Sequence, residues 1–136
     1  MKVFFDSNVY IAEALLGQAA RKIIEATCRA RHRIFCNRHL LEEIEEVLTG
    51  ELGFSRRLAI LTRHRIVRRS TLVESALKVH VPRDPNDSEI LQGALACGAD
   101  YLVTNDRHLL ELNPFEGLRI ISMDEYYQLL EQEGLL

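Results

Sequence analysis

Little in this chain points outward. No apolar run approaches the roughly 18 residues that a membrane span requires, so no membrane partner is expected. Asp6 and Asn8 interrupt the first apolar stretch before it could act as a secretory leader. The three cysteines, Cys28, Cys36 and Cys97, are odd in number and form no CxxC pair, which argues against a disulfide framework and a zinc site alike. They read as small buried hydrophobes of a reducing compartment, and the expected location is cytoplasmic. Internal repeats, linkers and low-complexity segments are missing. So is an excess of positive charge: 17 Lys and Arg face 20 Asp and Glu, for a net charge of -3. Any nucleic-acid contact must therefore rest on local charge.

What is present is an ordinary globular composition. The 136 residues suffice for one core and are too few for two, so a single domain over residues 1–136 is expected.

The most legible stretch is RDPNDSEILQGALACGADYLVTNDRHLL, residues 83–110. Ile90, Leu91, Ala94 and Leu95 recur at helical steps. Asp84 and Pro85 supply a cap and a first-turn residue, and Gly98 supplies the stop. Tyr101-Leu102-Val103 then reads as a buried strand that ends in Thr104-Asn105-Asp106. The N-terminus repeats the motif in brief: Val3-Phe4-Phe5 is a strand, Asp6-Ser7-Asn8 follows, and a helix begins near Val9 and closes at Gly17. Further helices are expected over residues 19–30, 38–49, 55–69, 107–112 and 123–131. Strands are expected over 34–36 and 118–121, with a weaker one over 79–81. Strands alternating with helices imply an α/β fold whose parallel sheet is covered on both faces. Asp6 and Asp106 then stand just past the C-terminal ends of two strands, where open α/β sheets carry their chemistry.

Four carboxylates deserve weighing against simpler roles. Asp6 is a candidate helix cap, although Ser7 and Asn8 could cap equally well. In the helix over 38–49, Leu40, Leu41, Ile44, Val47 and Leu48 form an apolar arc with Glu42 and Glu46 opposite it. Glu43 and Glu45 lie at the two edges of that arc, and periodicity does not choose between them. Asp87 falls on the inward face, at the third helical position if Asp84 is the cap, where a negative charge suits the helix dipole. Asp106 could cap the helix that follows it. Each has a harmless explanation, but convergence at one sheet edge would not be harmless. Two unit charges about 4 Å apart repel by on the order of 4 kcal/mol at an effective dielectric near 20. A divalent cation relieves that conflict, oxygen ligands favour Mg²⁺ or Mn²⁺ over zinc, and such a site suits phosphodiester hydrolysis.

Taken together, FFDSNVYI, HLLEEIEEVL, RDPNDSEIL and ADYLVTNDRHLL resemble the PIN-domain (PilT N-terminus) nucleases, and within them the VapC-related toxin branch. The resemblance covers nearly the whole chain. It implies a three-layer sandwich with a central parallel sheet of four or five strands. It implies a catalytic and metal-holding quartet of Asp6, Glu43, Asp87 and Asp106, which chooses Glu43 over Glu45. Asn8 and Thr104 match supporting positions, with Asp84 a cap or secondary residue. The implied activity is Mg²⁺- or Mn²⁺-dependent cleavage of RNA, as the toxin of a toxin–antitoxin pair and commonly as a homodimer.

The basic run Arg56, Arg57, Arg63, His64, Arg65, Arg68 and Arg69 is the local counterweight to the negative chain, with Leu58, Ile60, Leu61, Ile66 and Val67 as its apolar side. It would attract a phosphate backbone or, equally, an acidic antitoxin tail. Arg107 and His108 could reach a phosphate beside Asp106. Two other readings stay in play. A HAD-type phosphatase also places an Asp after its first strand, but it needs a second Asp where this chain has Asn8. A PIN scaffold that binds RNA or a partner without cutting is the non-enzymatic alternative.

Overall fold

The computed structural model describes residues 1–74 and 85–136, apart from the side chains of residues 85 and 86. The expected strand over 79–81 and the cap residue Asp84 lie outside these residues. Five parallel strands form one sheet: β1 (Lys2–Phe5), β2 (Arg33–Cys36), β3 (Thr71–Leu72), β4 (Tyr101–Val103) and β5 (Arg119–Ile121), in the order β3-β2-β1-β4-β5. The helices among the described residues are α1 (Ser7–Ala14), α2 (Gln18–Arg29), α3 (Arg38–Glu46), α4 (Arg56–Arg69), α5 (Pro85–Ala96), α6 (Arg107–Leu110) and α7 (Met123–Gln132). The expected α/β class and parallel sheet are therefore present.

β1 is central because its three apolar residues, Val3, Phe4 and Phe5, are wholly buried. Alternation along the strand sends neighbouring side chains to opposite faces. Phe5 meets Tyr10 of α1 and Tyr126 of α7 edge-on, with ring centroids 6.0 and 5.7 Å away. Phe4 lies under α5, where Gly93 allows the close approach: a Cβ there would sit 2.9 Å from the Phe4 ring and 2.5 Å from Asn37 Nδ2. Helices thus cover both faces, and each buried phenylalanine contributes roughly 1.5–3 kcal/mol.

Strand order runs outward from β1 to β3 on one side and through β4 to β5 on the other. The chain reverses direction across the sheet between β1 and β4, and that topological switch point is where open α/β sheets bind their ligands, at the strands' C-terminal ends.

Several local expectations change. Gly17 does not close α1; the helix stops at Ala14, and Leu16 takes the left-handed turn at φ 64°. Gly17 instead begins α2 with extended backbone, and a Cβ there would meet the Ala12 carbonyl oxygen at 2.7 Å. The helix over 38–49 is α3 followed by a π-helical turn, Val47–Glu51, so Gly50 lies within a helical turn rather than ending one. On α4 only Ala59 and Ile66 are buried. Leu58, Ile60, Leu61 and Val67 remain exposed, because α4 is an outer helix that touches α3 and the sheet edge. Cys36 and Cys97 are buried as expected, but Cys28 is exposed on the last turn of α2. The two-residue edge strand β3 carried no visible signal, being short and exposed on both residues.

Candidate active site at the switch point

Register places the candidate residues before any side chain is considered. Phe5 pairs with Val103, and the Asp6 amide donates to the Val103 carbonyl at 2.9 Å, so Asp6 stands level with Thr104. Both are the first residues past a buried strand. Asp6 is 5 % exposed and Thr104 is fully buried.

Asp6 caps α1 after all. Its Oδ1 accepts the Ser7 amide at 2.7 Å, and α1 begins at Ser7 rather than near Val9. The cap does not exhaust the carboxylate. Oδ2 accepts the Thr104 hydroxyl at 2.7 Å and the Asn8 side-chain amide at 3.2 Å. Thr104 Oγ1 also accepts the Asp106 amide at 2.9 Å and Asn8 Nδ2 at 3.2 Å. Asn8 Oδ1 accepts the Asn105 amide at 3.3 Å. One polar web therefore ties the loop after β1 to the loop after β4, with Asp106 capping α6 through its acceptance of the His108 amide at 2.9 Å.

Glu43 enters from α3. Its Oε1 accepts the Ser7 hydroxyl at 2.8 Å. Its Oε2 is buried with no hydrogen-bond partner; the nearest basic atom, His39 Nε2, stands 3.8 Å away and is equally unpartnered. Glu45, the other edge candidate, turns away to pair with Arg63 at 3.2 Å. Glu42 and Glu46 are exposed, as the apolar arc requires.

Asp87 lies in the first turn of α5 and is 4 % exposed. Asn37, which follows β2, explains how α5 reaches this edge. Its side-chain oxygen caps α3 by accepting the Leu40 amide at 2.9 Å, and its Nδ2 donates to the Glu89 carbonyl at 3.0 Å. The first turns of α3 and α5 are thereby pinned together. At its other end α5 reaches Lys2, whose Nζ donates to the Cys97 carbonyl at 3.2 Å. The helix runs against the strands, with Asp87 at the strands' C-terminal edge.

Electrostatics follow from this packing. Burial pushes the Asp6 carboxyl up from its ordinary 3.8 to about 6, against the hydrogen bonds from Thr104 and the Ser7 amide that favour its charge. The negative charges of Glu43 and Asp106 push it further in the same direction. Asp6 thus feels Glu43 from helix α3 and Asp106 from the loop after β4. Among the described residues, no three His, Cys, Asp or Glu side chains are gathered tightly enough to clasp an ion unaided.

The basic run divides. Arg69 grips Glu13 of α1 with two bonds of 2.7 and 2.9 Å, and Arg65 stands 3.6 Å from the same carboxylate. Arg63 is held by Glu45. These three dock α4 onto the domain. Arg56, Arg57 and Arg68 are exposed and form no ion pair with another described residue, and Arg107 and His108 are exposed beside Asp106.

Two residues of this site escaped the sequence. Ser7 registered there only as a possible cap, and Asn37 carried no signal beyond its place after a strand.

The fold and its polar web define a parallel α/β protein with acidic side chains at the topological switch point. A family model described as PIN domain matches residues 2–108, and the chain belongs to the PIN-domain family. The matched span contains Asp6, Glu43, Asp87 and Asp106; β5 and α7 lie beyond it but share the same sheet and core. Membership points to a nuclease-type function. No curated protein is matched by the chain. No helix among the described residues is long and apolar enough to cross a membrane.

Proposed function

We propose that this protein is a divalent-metal-dependent endoribonuclease of the VapC-related branch, the toxin of a toxin–antitoxin pair. The observation that carries the reading is the state of Asp6: a buried carboxylate beside two other acids, with its pKa raised to about 6 and no cation among its described partners.

The residues fit a hard divalent cation. Asp6, Glu43, Asp87 and Asp106 offer oxygen donors only, and Glu43 Oε2 is a buried oxygen without a partner. The loose gathering also suits Mg²⁺, which binds through one or two carboxylates and keeps several waters. Asp6, Asp87 and Asp106 would hold the ion, and Glu43 would complete its coordination or orient the attacking water. When bound, the cation neutralises the carboxylates and polarises the scissile phosphate.

The protein's own groups do the rest. Asn8 and Thr104 fix the Asp6 carboxylate, so that it meets an incoming charge without reorganising. Glu43 Oε2, once it faces water, can accept its proton as the water oxygen bonds to phosphorus; the bond from phosphorus to the ester oxygen of the neighbouring nucleotide breaks, and that oxygen leaves as a hydroxyl protonated from solvent. Arg107 and His108 stand at the exposed rim, where a phosphate would pass. Arg56, Arg57 and Arg68 supply positive charge for the RNA backbone farther out, or for an acidic antitoxin segment. A cytoplasmic location and a homodimer complete this reading.

The test is cleavage of labelled single-stranded RNA with Mn²⁺ and with EDTA, using Asp6→Asn as control. Cutting by the wild type in Mn²⁺ alone supports the proposal, and equal cutting by the variant would sink it. The toxin role predicts growth arrest on expression, relieved by the product of a neighbouring gene. The second reading, a PIN scaffold that binds RNA without cutting, is favoured by the lack of a tight three-acid cage among the described residues. Metal-independent RNA binding with no cleavage would establish it. A HAD-type phosphatase finds less support: Asn8 sits where that chemistry needs an acid, and its side chain is spent on Asp6 and Thr104.

A further inference from the structure

We infer that Ser7 is a positioning residue that orients Glu43 for the metal-dependent reaction, leaving Oε2 as its working oxygen; this rests on the nuclease reading above. The Ser7 hydroxyl is buried between two acids, 2.8 Å from Glu43 Oε1 and 3.5 Å from Asp6 Oδ1. It has one proton to give, and distance assigns that proton to Glu43. Asp6 Oδ1 has less need of it, because it already accepts the Ser7 amide at 2.7 Å. The same residue therefore serves both acids: its amide fixes Asp6, and its hydroxyl fixes Glu43.

The consequence concerns the other half of the Glu43 carboxylate. Glu43 projects from α3, whereas Asp6 and Ser7 belong to the junction of β1 and α1. Long side chains reaching from one element to another lose rotamer freedom only if something holds them. The Ser7 bond holds Oε1, and the planar carboxylate then has one direction left for Oε2. That atom is buried and unpartnered, and His39 at 3.8 Å is too far to satisfy it by a hydrogen bond. A buried carboxylate oxygen kept without a partner is costly, and the Ser7 bond keeps it so. Without Ser7, Glu43 is free to turn away, as Glu45 does toward Arg63.

The test is Mn²⁺ affinity, read by electron paramagnetic resonance of the free ion, for Ser7→Ala in two backgrounds. In the wild-type background the dissociation constant should rise by about 10- to 100-fold, the usual cost of losing a partner that orients a ligand. In a Glu43→Ala background the same change should matter by no more than about twofold, since Ser7 has nothing left to hold. Equal weakening in both backgrounds would mean that Ser7 acts through the fold or through Asp6, and would overturn the inference. Should Ser7→Ala fail to fold, Ser7→Cys keeps a similar shape with a poor donor and is read in the same way. A wild type that binds no Mn²⁺ and cuts no RNA refutes the nuclease reading and this inference with it. A wild type that binds and cuts, beside Ser7 variants that bind as tightly and cut as fast, refutes the role of Ser7 alone.

Discussion

Helix α1 carries two buried carboxylates that the protein treats in opposite ways. Glu13, near its end, is met by Arg69 at 2.7 Å and Arg65 at 3.6 Å, so its negative charge is matched within the fold. Asp6, at its start, is met by neutral donors and by two further acids. Both positions are at most 9 % exposed. The contrast teaches that this fold can supply an arginine to a buried acid and does so where the acid is structural. At the switch point it supplies hydroxyls and amides instead, which orient a carboxylate without cancelling its charge. On the proposed reading, a place is thereby kept for positive charge from outside.

The comparison can be broken by experiment. Its sharpest form is activity. Asp6→Ala or Asp106→Ala should lower RNA cleavage by on the order of 10² to 10³, the cost of removing one electrostatic contributor from a preorganised site. Glu13→Ala should leave cleavage by the folded fraction intact. Initial rates on labelled RNA at equal folded concentration decide this, and a loss of cleavage by Glu13→Ala comparable to that of the Asp6 variant would erase the distinction.

Stability should show the reverse. Glu13→Ala leaves the half-buried Arg69 unpaired, costing about 2–4 kcal/mol, discounted from the fully buried case because the Arg69 side chain is itself 22 % exposed. Urea unfolding monitored by circular dichroism measures it, and a loss below about 0.5 kcal/mol, the level of an ordinary surface change, would contradict the structural role.

The pH response distinguishes the two acids next. Folding raises the Asp6 pKa from 3.8 to about 6, so the folded chain holds that proton more tightly than the unfolded one. The sign follows: its stabilising contribution is fully present below 3.8 and is lost as pH rises through 6. Without metal, Asp6→Asn should therefore be more stable than wild type at pH 8, by on the order of 1–3 kcal/mol, and the gap should close near pH 4. A variant less stable at pH 8 than at pH 4, relative to wild type, would reverse that sign.

Metal should then repair what burial strains. At about 100 times its dissociation constant, Mn²⁺ should stabilise the wild type by about 2.7 kcal/mol and Asp6→Asn by much less. Thermal melts with and without EDTA report it, and equal shifts for both proteins would place the ion elsewhere. Smallest in effect, Arg68→Ala should lower the salt dependence of RNA binding by a slope of about 0.7, one phosphate contact on a single strand. An unchanged slope would remove Arg68 from the RNA path.

Legibility in the sequence tracked how local each cause was. The strand of Val3, Phe4 and Phe5, the helix that Gly98 stops at φ 68°, and the outward turn of Glu42 and Glu46 follow from period and capping, which act within a few residues. The end of α1 was misplaced because Gly17 is needed for its closeness to Ala12, a packing fact rather than a conformational one. Exposure of Leu58, Ile60, Leu61 and Val67 was equally hidden, since nothing on α4 itself says how little of it the sheet covers. Helical spacing says that Arg56, Arg57, Arg63 and Arg68 of the basic run cannot all share one face, but not which arginines of the run find partners. Only the partners of Arg63, Arg65 and Arg69, distant along the chain, separate docking residues from free ones.

By itself the sequence determined the alternation of strand and helix and the placement of Asp6 and Asp106 one or more residues past buried strands, because periodicity and chain stiffness are written residue by residue. Only the tertiary structure decided that Ser7 holds Glu43, that Asn37 draws the first turn of α5 to the same edge, and that Asp6 is left without an arginine while Glu13 receives two. Those outcomes depend on which surfaces meet when the sheet closes, and the energy of a buried charge is set by its neighbours in space, not by its neighbours along the chain.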